Sequence, residues 1–278
     1  MIKLTNVDFA YSWHKSIFTS LDIELDRGRI YGLLGCNGSG KSTLLKIISG
    51  VISPSKGEVL VDGVDPADRL PSLTSQIYYI PEDISIRNSS MATYAKYMTP
   101  FYPNYSDSDL RSYLEEFGVS YTDSLDDMSL GQRKKAVIAF ALACNTRILI
   151  MDEPTNGLDI PSKSQFRKIV SRIASEERTV IISTHQVRDL DSLIDSIIIL
   201  DDSKILVNAS MRRISERLQF RRLDAAEESI YEESNMMGRW GVVENMEEGG
   251  DAKVDLELLF KASIAEPQKI NELLKGGF

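Results

Sequence analysis

Gly35-Cys36-Asn37-Gly38-Ser39-Gly40-Lys41-Ser42 follows the spacing G-x-x-x-x-G-K-[ST], directly after the apolar run Ile30–Leu34 and before a helix expected over Ser42–Ile48. Glycines at those positions let the backbone wrap around phosphate oxygens with its N–H groups inward, at a helix N-terminus whose partial positive charge favours anions. Lys41 is then placed to reach the β and γ phosphates of a nucleotide, the Ser42 hydroxyl to ligate Mg²⁺, and Thr43 to extend the contact. Cys36 lies inside the loop. Either its thiol is activated by the surrounding N–H dipoles, or a small side chain is simply tolerated there.

A second constellation begins at Ile148–Met151, an apolar run that ends in Asp152 and Glu153. Two acids at the end of a buried strand suit a nucleotide site in which the first supports hydrated Mg²⁺ and the second faces the attacking water. A strand that merely stops in solvent would end the same way, but Pro154-Thr155-Asn156-Gly157-Leu158-Asp159 continues the pattern. Taken together, Met151–Asp159 resembles the Walker B and D-loop of ATP-binding cassette (ABC) ATPases, and Met128-Ser129-Leu130-Gly131-Gln132 resembles their signature motif. Thr184-His185, after the run Val180–Ser183, is similar to the family's switch histidine. Tyr11 stands where the family stacks an aromatic ring on adenine, and Glu82 in Tyr79-Ile80-Pro81-Glu82 stands at the Q-loop position. The resemblance covers about residues 1–210, with the motifs in the family's order.

The resemblance implies ATP and Mg²⁺ as ligands, with Gly35–Thr43 and Tyr11 on the nucleotide and Ser42, Asp152 and Glu82 around the metal. It implies a catalytic set of Glu153 to position or deprotonate water, His185 to hold the γ-phosphate and that water, and Lys41. Ser129, Gly131 and Gln132 would act in trans, closing over ATP held by a second subunit, with Asp159 in the D-loop at the same interface. Hydrolysis would then release two chains paired head to tail. Two positions depart from the family pattern: Glu82 replaces the usual glutamine, as in two-component exporters whose membrane half is a separate chain, and Leu130 stands where many members have glycine. Since Ser129, Gly131 and Gln132 remain, function is expected to survive.

These residues need a framework. Strand-like runs at Ile2–Phe9, Ser20–Glu24, Ile30–Leu34, Ile148–Met151, Val180–Ser183 and Ile197–Leu200 alternate in the later part with helical patterns near Arg133–Cys144 and Ser162–Ser175. That alternation predicts a mostly parallel sheet covered on both faces. The expected fold is α/β, a P-loop NTPase of ABC type with a mostly parallel core sheet, an N-terminal antiparallel β subdomain and a small C-terminal α+β appendage. It also carries a helical subdomain inserted at about residues 83–135. The ATPase domain is expected over residues 1–210, Asp201–Lys204 as a turn, and the appendage over 211–278. There, Trp240–Asn245 and Lys253–Asp255 flank Glu248-Gly249-Gly250 and suggest a hairpin.

Composition narrows the partners. Hydrophobic residues make up 42% and charged residues 26% of the 278, values of a globular chain. The longest apolar stretch, Ala136–Cys144, is about half of what spans a bilayer. Two cysteines and no apolar leader point to a reducing, cytoplasmic setting. A net charge of −9 argues against nucleic acid. Residues 224–257 carry eleven acids against Arg239 and Lys253, so the acidity belongs to the appendage, after a basic cluster at Arg212, Arg213, Arg217, Arg221 and Arg222. A compensated, solvated face or a membrane-surface or regulatory contact would account for it.

The expected role is a transporter's ATPase subunit, peripheral on the inner face of the cell membrane and paired with a separately encoded permease. Tyr94, Tyr97, Met98 and Phe101, at helical spacing, form either subdomain core or the surface that receives the permease. The alternative is a soluble ABC ATPase of assembly, repair or translation. Translation and repair factors typically show two cassettes, a long coiled-coil insertion or a basic surface, which this sequence lacks.

Overall fold

The computed structural model describes residues 1–12, 15–86, 89–190, 192–224, 227–236, 238–246 and 252–275. β1 (Ile2–Ser12) and β2 (Lys15–Leu25) pair antiparallel, with alternate residues of β1 buried. β3 (Ile30–Leu34) is buried at every position, and the glycine-rich loop links it to α1 (Lys41–Ile48). β4 (Lys56–Val61) returns to the far side of β1, giving a three-stranded antiparallel sheet in the order β2-β1-β4.

After a short helix, α2 (Pro71–Thr74), the chain enters β5 (Ile77–Ile80) and then three helices, α3 (Met91–Met98), α4 (Asp107–Glu116) and α5 (Leu130–Ala143). Each of the three starts at a serine, Ser90, Ser106 or Ser129, whose side chain accepts a backbone N–H of the first turn. Phe140 of α5 is buried among the rings of Tyr78, Tyr94, Tyr102 and Tyr105, at centroid distances of 5.0 to 6.5 Å. It pins these helices to the sheet.

β6 (Ile148–Asp152), α6 (Ile160–Ile173), β7 (Thr179–Thr184), β8 (Ser196–Asp201) and β9 (Lys204–Ser210) complete a six-stranded sheet in the order β5-β6-β7-β3-β8-β9. All neighbours are parallel except β8 and β9, which form a hairpin about the predicted turn. Ile148 and Ile150 face one core with α1 and the antiparallel sheet, whereas Leu149 and Met151 face the other with α5 and α6. Strands buried on both faces therefore read as unbroken apolar runs.

The C-terminal part comprises α7 (Met211–Arg217), β10 (Leu218–Arg222), β11 (Tyr231–Asn235), β12 (Gly238–Glu244), α8 (Leu256–Ala265) and α9 (Pro267–Leu274). Its strands form a separate antiparallel sheet in the order β10-β12-β11. Leu256, Leu259 and Ile270 join the same core as α5 and β8.

The expected hairpin is not formed. β12 pairs upstream, Arg222 opposite Trp240 and Tyr231 opposite Val242, while Lys253–Asp255 is not a strand. Asp255 instead caps α8, accepting the N–H groups of Glu257 and Leu258 at 3.0 Å, and Leu256, Leu258 and Leu259 bury at helical spacing. The turn residues 248–250 lie outside the described residues.

Phe140→Ala is expected to cost about 3–5 kcal/mol in urea unfolding, since removing the ring opens a cavity among side chains that cannot collapse together. A loss below about 1 kcal/mol would show that the tyrosines close the gap unaided.

Candidate nucleotide site

The loop Gly35–Gly40 is shaped by its glycines. Gly38 and Gly40 have φ of 83° and 107°, and a Cβ on Gly40 would lie 2.9 Å from the Phe18 ring, so only glycine fits there without strain. A turn bond from the Ser39 N–H to the Cys36 carbonyl, at 3.2 Å, closes the loop. Lys41 is buried and donates to the Gly35 and Cys36 carbonyls at 2.8 and 3.2 Å, lying back across the loop it starts from. Tyr11 is 59% exposed beside the loop, its hydroxyl 3.3 Å from Thr43 Oγ1 and its ring edge-on to Phe9. Tyr11, Asn37, Gly38, Gly40, Lys41, Ser42, Thr43, Glu82 and Glu153 share a cleft of about 370 Å³.

Glu153, only 4% exposed, anchors the opposite wall. Its φ of 47° is left-handed, an uncommon conformation for a residue with a Cβ, and it turns the side chain back toward the loop. Its N–H donates to Ser183 Oγ at 3.0 Å, and the same hydroxyl donates to Asp152 Oδ1 at 2.6 Å. Glu153 Oε1 lies 2.9 Å from His185 Nδ1 and 3.9 Å from Lys41 Nζ. The phosphate-loop cation, the carboxylate and the histidine thus meet at one point, from α1, the end of β6 and the end of β7.

Ser42 and Glu82 line the cleft, and Asp152 is buried behind it at the end of β6. Glu82 Oε1 accepts from Asn156 Nδ2 at 3.2 Å. One hydroxyl and two carboxylates are hard oxygen donors, the type Mg²⁺ takes, and among the described residues no three His, Cys, Asp or Glu side chains converge to hold a metal alone. Such a donor set fits an ion that keeps water and phosphate oxygens as its other ligands.

The signature residues lie apart from this cleft, and none of 129–132 is among its lining residues. Ser129 and Gln132 form a capping box at the start of α5: Gln132 N–H donates to Ser129 Oγ at 3.2 Å, and Ser129 N–H to Gln132 Oε1 at 3.0 Å. Ser129 and Leu130 are exposed, and a Cβ on Gly131 would come within 3.1 Å of the Gly157 carbonyl, so the signature abuts the turn after β6. Asp159 caps α6, where its hydrogen bonds from Ser162 hold its carboxyl below the usual range.

Sequence reasoning missed Ser183, Asn156 and Lys134. Lys134 Nζ donates to the carbonyls of Glu153 and Asn156 at 2.7 and 3.1 Å. In the sequence it stands inside Arg133-Lys134-Lys135, which looks like a solvated basic run. Helical spacing was the available signal, because Lys134 falls on one stripe with Val137, Ile138 and Ala141, all buried. Ser183 and Asn156 carry no signal beyond their place in the motifs.

The sequence profile of the ABC transporter family matches residues 18–156. The lantibiotic transport ATP-binding protein SrtF of Streptococcus pyogenes is 30% identical over 209 residues, 74% of this chain and 90% of that protein. The ABC transporter ATP-binding protein NatA of Bacillus subtilis is 26% identical over 227 residues, 78% and 92% respectively. Among solved structures, an ATP-binding subunit of an ABC transporter superposes with a TM-score of 0.68 at 22% identity, over 77% of this chain and 92% of that one. A dimeric bacterial ABC transporter cassette gives 0.67 at 23% identity, over 76% and 98%. The chain belongs to the ABC transporter family, as an ATP-binding and ATP-hydrolysing subunit. Among the described residues no helix is long and apolar enough to cross a membrane.

Lys41→Ala is expected to abolish ATP hydrolysis and weaken ATP binding while circular dichroism stays that of the folded protein; near-normal turnover would sink the phosphate-loop assignment. Cysteine labelling offers a second check. Cys36 is exposed in the loop, whereas Cys144 is buried and its thiol pKa is pushed up by burial. A maleimide should modify one thiol per native chain, inactivate it, and be slowed by MgATP; equal labelling with and without nucleotide would place Cys36 outside the occupied site.

Proposed function

We propose that ATP binds with its phosphates in the loop Gly35–Ser42, its adenine near Tyr11, and its γ-phosphate facing Glu153. One observation carries this reading: Glu153 Oε1 lies against both His185 Nδ1 and Lys41 Nζ at the wall of the phosphate-loop cleft. A carboxylate so placed can accept the proton of an attacking water as that water's oxygen bonds to the γ-phosphorus. The leaving ADP oxygen takes the broken bond's electron pair. Lys41 offsets the negative charge on the phosphates, and His185 fixes the carboxylate's direction. Mg²⁺, held by Ser42, Asp152 and Glu82, would supply further charge neutralisation at the phosphates.

Two chains pair in the ATP state. Ser129, Gly131 and Gln132 stand exposed or partly exposed at the N-terminus of α5, outside their own chain's cleft; that exposure supports their use as a second anion site for a facing copy. Asp159, which caps α6 two residues beyond the Gly157 carbonyl that Gly131 abuts, would join that interface. Within the chain, residues 1–210 form the ATPase domain, with its helical subdomain at about 83–135, and 211–278 the appendage.

A membrane-spanning permease is the partner that turns this cycle into transport, and it places the chain at the inner face of the cell membrane. The relatives named for transport support this, and so does the surface. Of the aromatic stripe, Tyr94 and Met98 pack inward, Tyr94 bonding Tyr78 at 3.0 Å, while Tyr97 and Phe101 remain 68% and 65% exposed. Two neighbouring exposed aromatics suit the receipt of a partner helix.

Glu153→Gln keeps shape and hydrogen bonding but takes no proton, so hydrolysis should fall by about two to four orders of magnitude. The uncleaved nucleotide should then hold two chains together, giving a dimer in ATP and a monomer in ADP on size exclusion with light scattering. Adding Ser129→Arg should abolish the dimer while ATP still binds. A Glu153→Gln chain that turns over normally would remove Glu153 as the base.

A further inference from the structure

Lys134 is a buried cation with no part in the hydrolytic scheme. It is 3% exposed, on the second turn of α5, and its ammonium donates to the carbonyls of Glu153 and Asn156 at 2.7 and 3.1 Å. Burial disfavours its charge and lowers its pKa, against the opposing pull of the carboxylates of Glu82, Glu153, Asp152 and Asp83. Taking an ammonium out of water is costly, and apolar residues of similar volume often replace buried ions without loss of stability. A methionine would fill this space, so what distinguishes the lysine is the pair of bonds its ammonium makes.

Those bonds hold the two ends of the turn that leaves β6. Glu153 has a left-handed backbone that persists only when its surroundings over-determine it. On its N-terminal side Ser183 takes its N–H at 3.0 Å; on its C-terminal side its carbonyl is held by Lys134 and by the Asn156 N–H at 3.2 Å. Asn156 in turn donates its side chain to Glu82 at 3.2 Å. The lysine therefore connects the helix that starts at Ser129 with the backbone from which the Glu153 carboxylate projects.

We infer that Lys134 is a positioning residue for hydrolysis: by gripping the Glu153 and Asn156 carbonyls it keeps the Glu153 carboxylate aimed at the water beside the γ-phosphate. It touches no substrate and moves no proton. The inference rests on Glu153 as the base, because a carboxylate with no catalytic task would need no aiming.

The test is a double-mutant cycle on the full chain, read as single-turnover ATP hydrolysis, MgATP affinity and melting temperature. Lys134→Met, an unbranched chain one atom shorter and without a donor, should lower the hydrolysis rate about 10- to 100-fold, the scale of a misaimed catalytic group. MgATP affinity should stay within about two-fold, since the phosphate loop is untouched. Lys134→Gln, whose amide can still donate, should recover part of the rate, which a merely space-filling role would not predict. In the Glu153→Gln background, Lys134→Met should add little further loss, because the two act as one unit.

Unchanged hydrolysis in Lys134→Met beside an inactive Glu153→Gln overturns the lysine's role alone. Full turnover of Glu153→Gln removes the base assignment and the proposal with it. Additive losses, or a drop in affinity matching the drop in rate, overturn positioning as well. Should Lys134→Met not fold, Lys134→Gln carries the same readouts, and failure of both to fold assigns the lysine to stability and overturns the proposal.

Discussion

The conformation of Glu153 is the constraint on which the rest of the site depends. Its backbone is left-handed with φ of 47°, its side chain is buried, and each of its polar groups is held by a different part of the fold. Ser183 of β7 accepts its N–H, Lys134 of α5 binds its carbonyl, and His185 and Lys41 face its carboxylate. Such strain persists only where neighbours over-determine it. Here they do so from three elements, α1, α5 and β7, so the carboxylate points into the cleft rather than into solvent.

Those elements meet because of strand order. β3 lies between β7 and β8, and β6 beside β7, so the ends of three parallel strands deliver the phosphate loop, Glu153 and His185 to one edge of the sheet. Ligands bind at this edge in open α/β sheets. The two cores, one under α1 and one under α5 and α6, hold the sheet from both faces and fix the register at which the three strand ends coincide.

Much of this was legible in the sequence, for physical reasons. β3, β6, β7 and β8 were readable because strands buried on both faces must be continuously apolar, and the phosphate loop was readable because its backbone needs glycine at φ of 83° and 107°. β4, β5 and β9 were not identified. β4 exposes its first three residues, β5 has only four, and β9 alternates weakly against a single partner. Local pattern pairs β12 with the wrong segment because its true partners both lie upstream, β10 ending 16 residues before it and β11 three, and short runs of similar texture do not rank them. At the site, the residues whose side chains the motifs specify were found, whereas Lys134, Ser183 and Asn156 act on backbone groups or on other side chains. Their contributions follow from tertiary placement that charge or residue type alone conceals.

The account's central claim is that a working site combines the phosphate loop and Glu153 of one chain with the signature of another. Mixing two inactive variants tests it most directly. A Lys41→Ala chain keeps an intact signature, and a Ser129→Arg chain keeps an intact phosphate loop, so a mixed dimer holds one complete site and one doubly broken one. The account predicts that an equimolar mixture of the two, each inactive alone, regains ATPase activity that neither variant has, up to about half of normal when every dimer is mixed, because each mixed dimer carries one complete site of two. Activity no greater than that of the separate variants, in a mixture shown by light scattering to contain dimers, would contradict it.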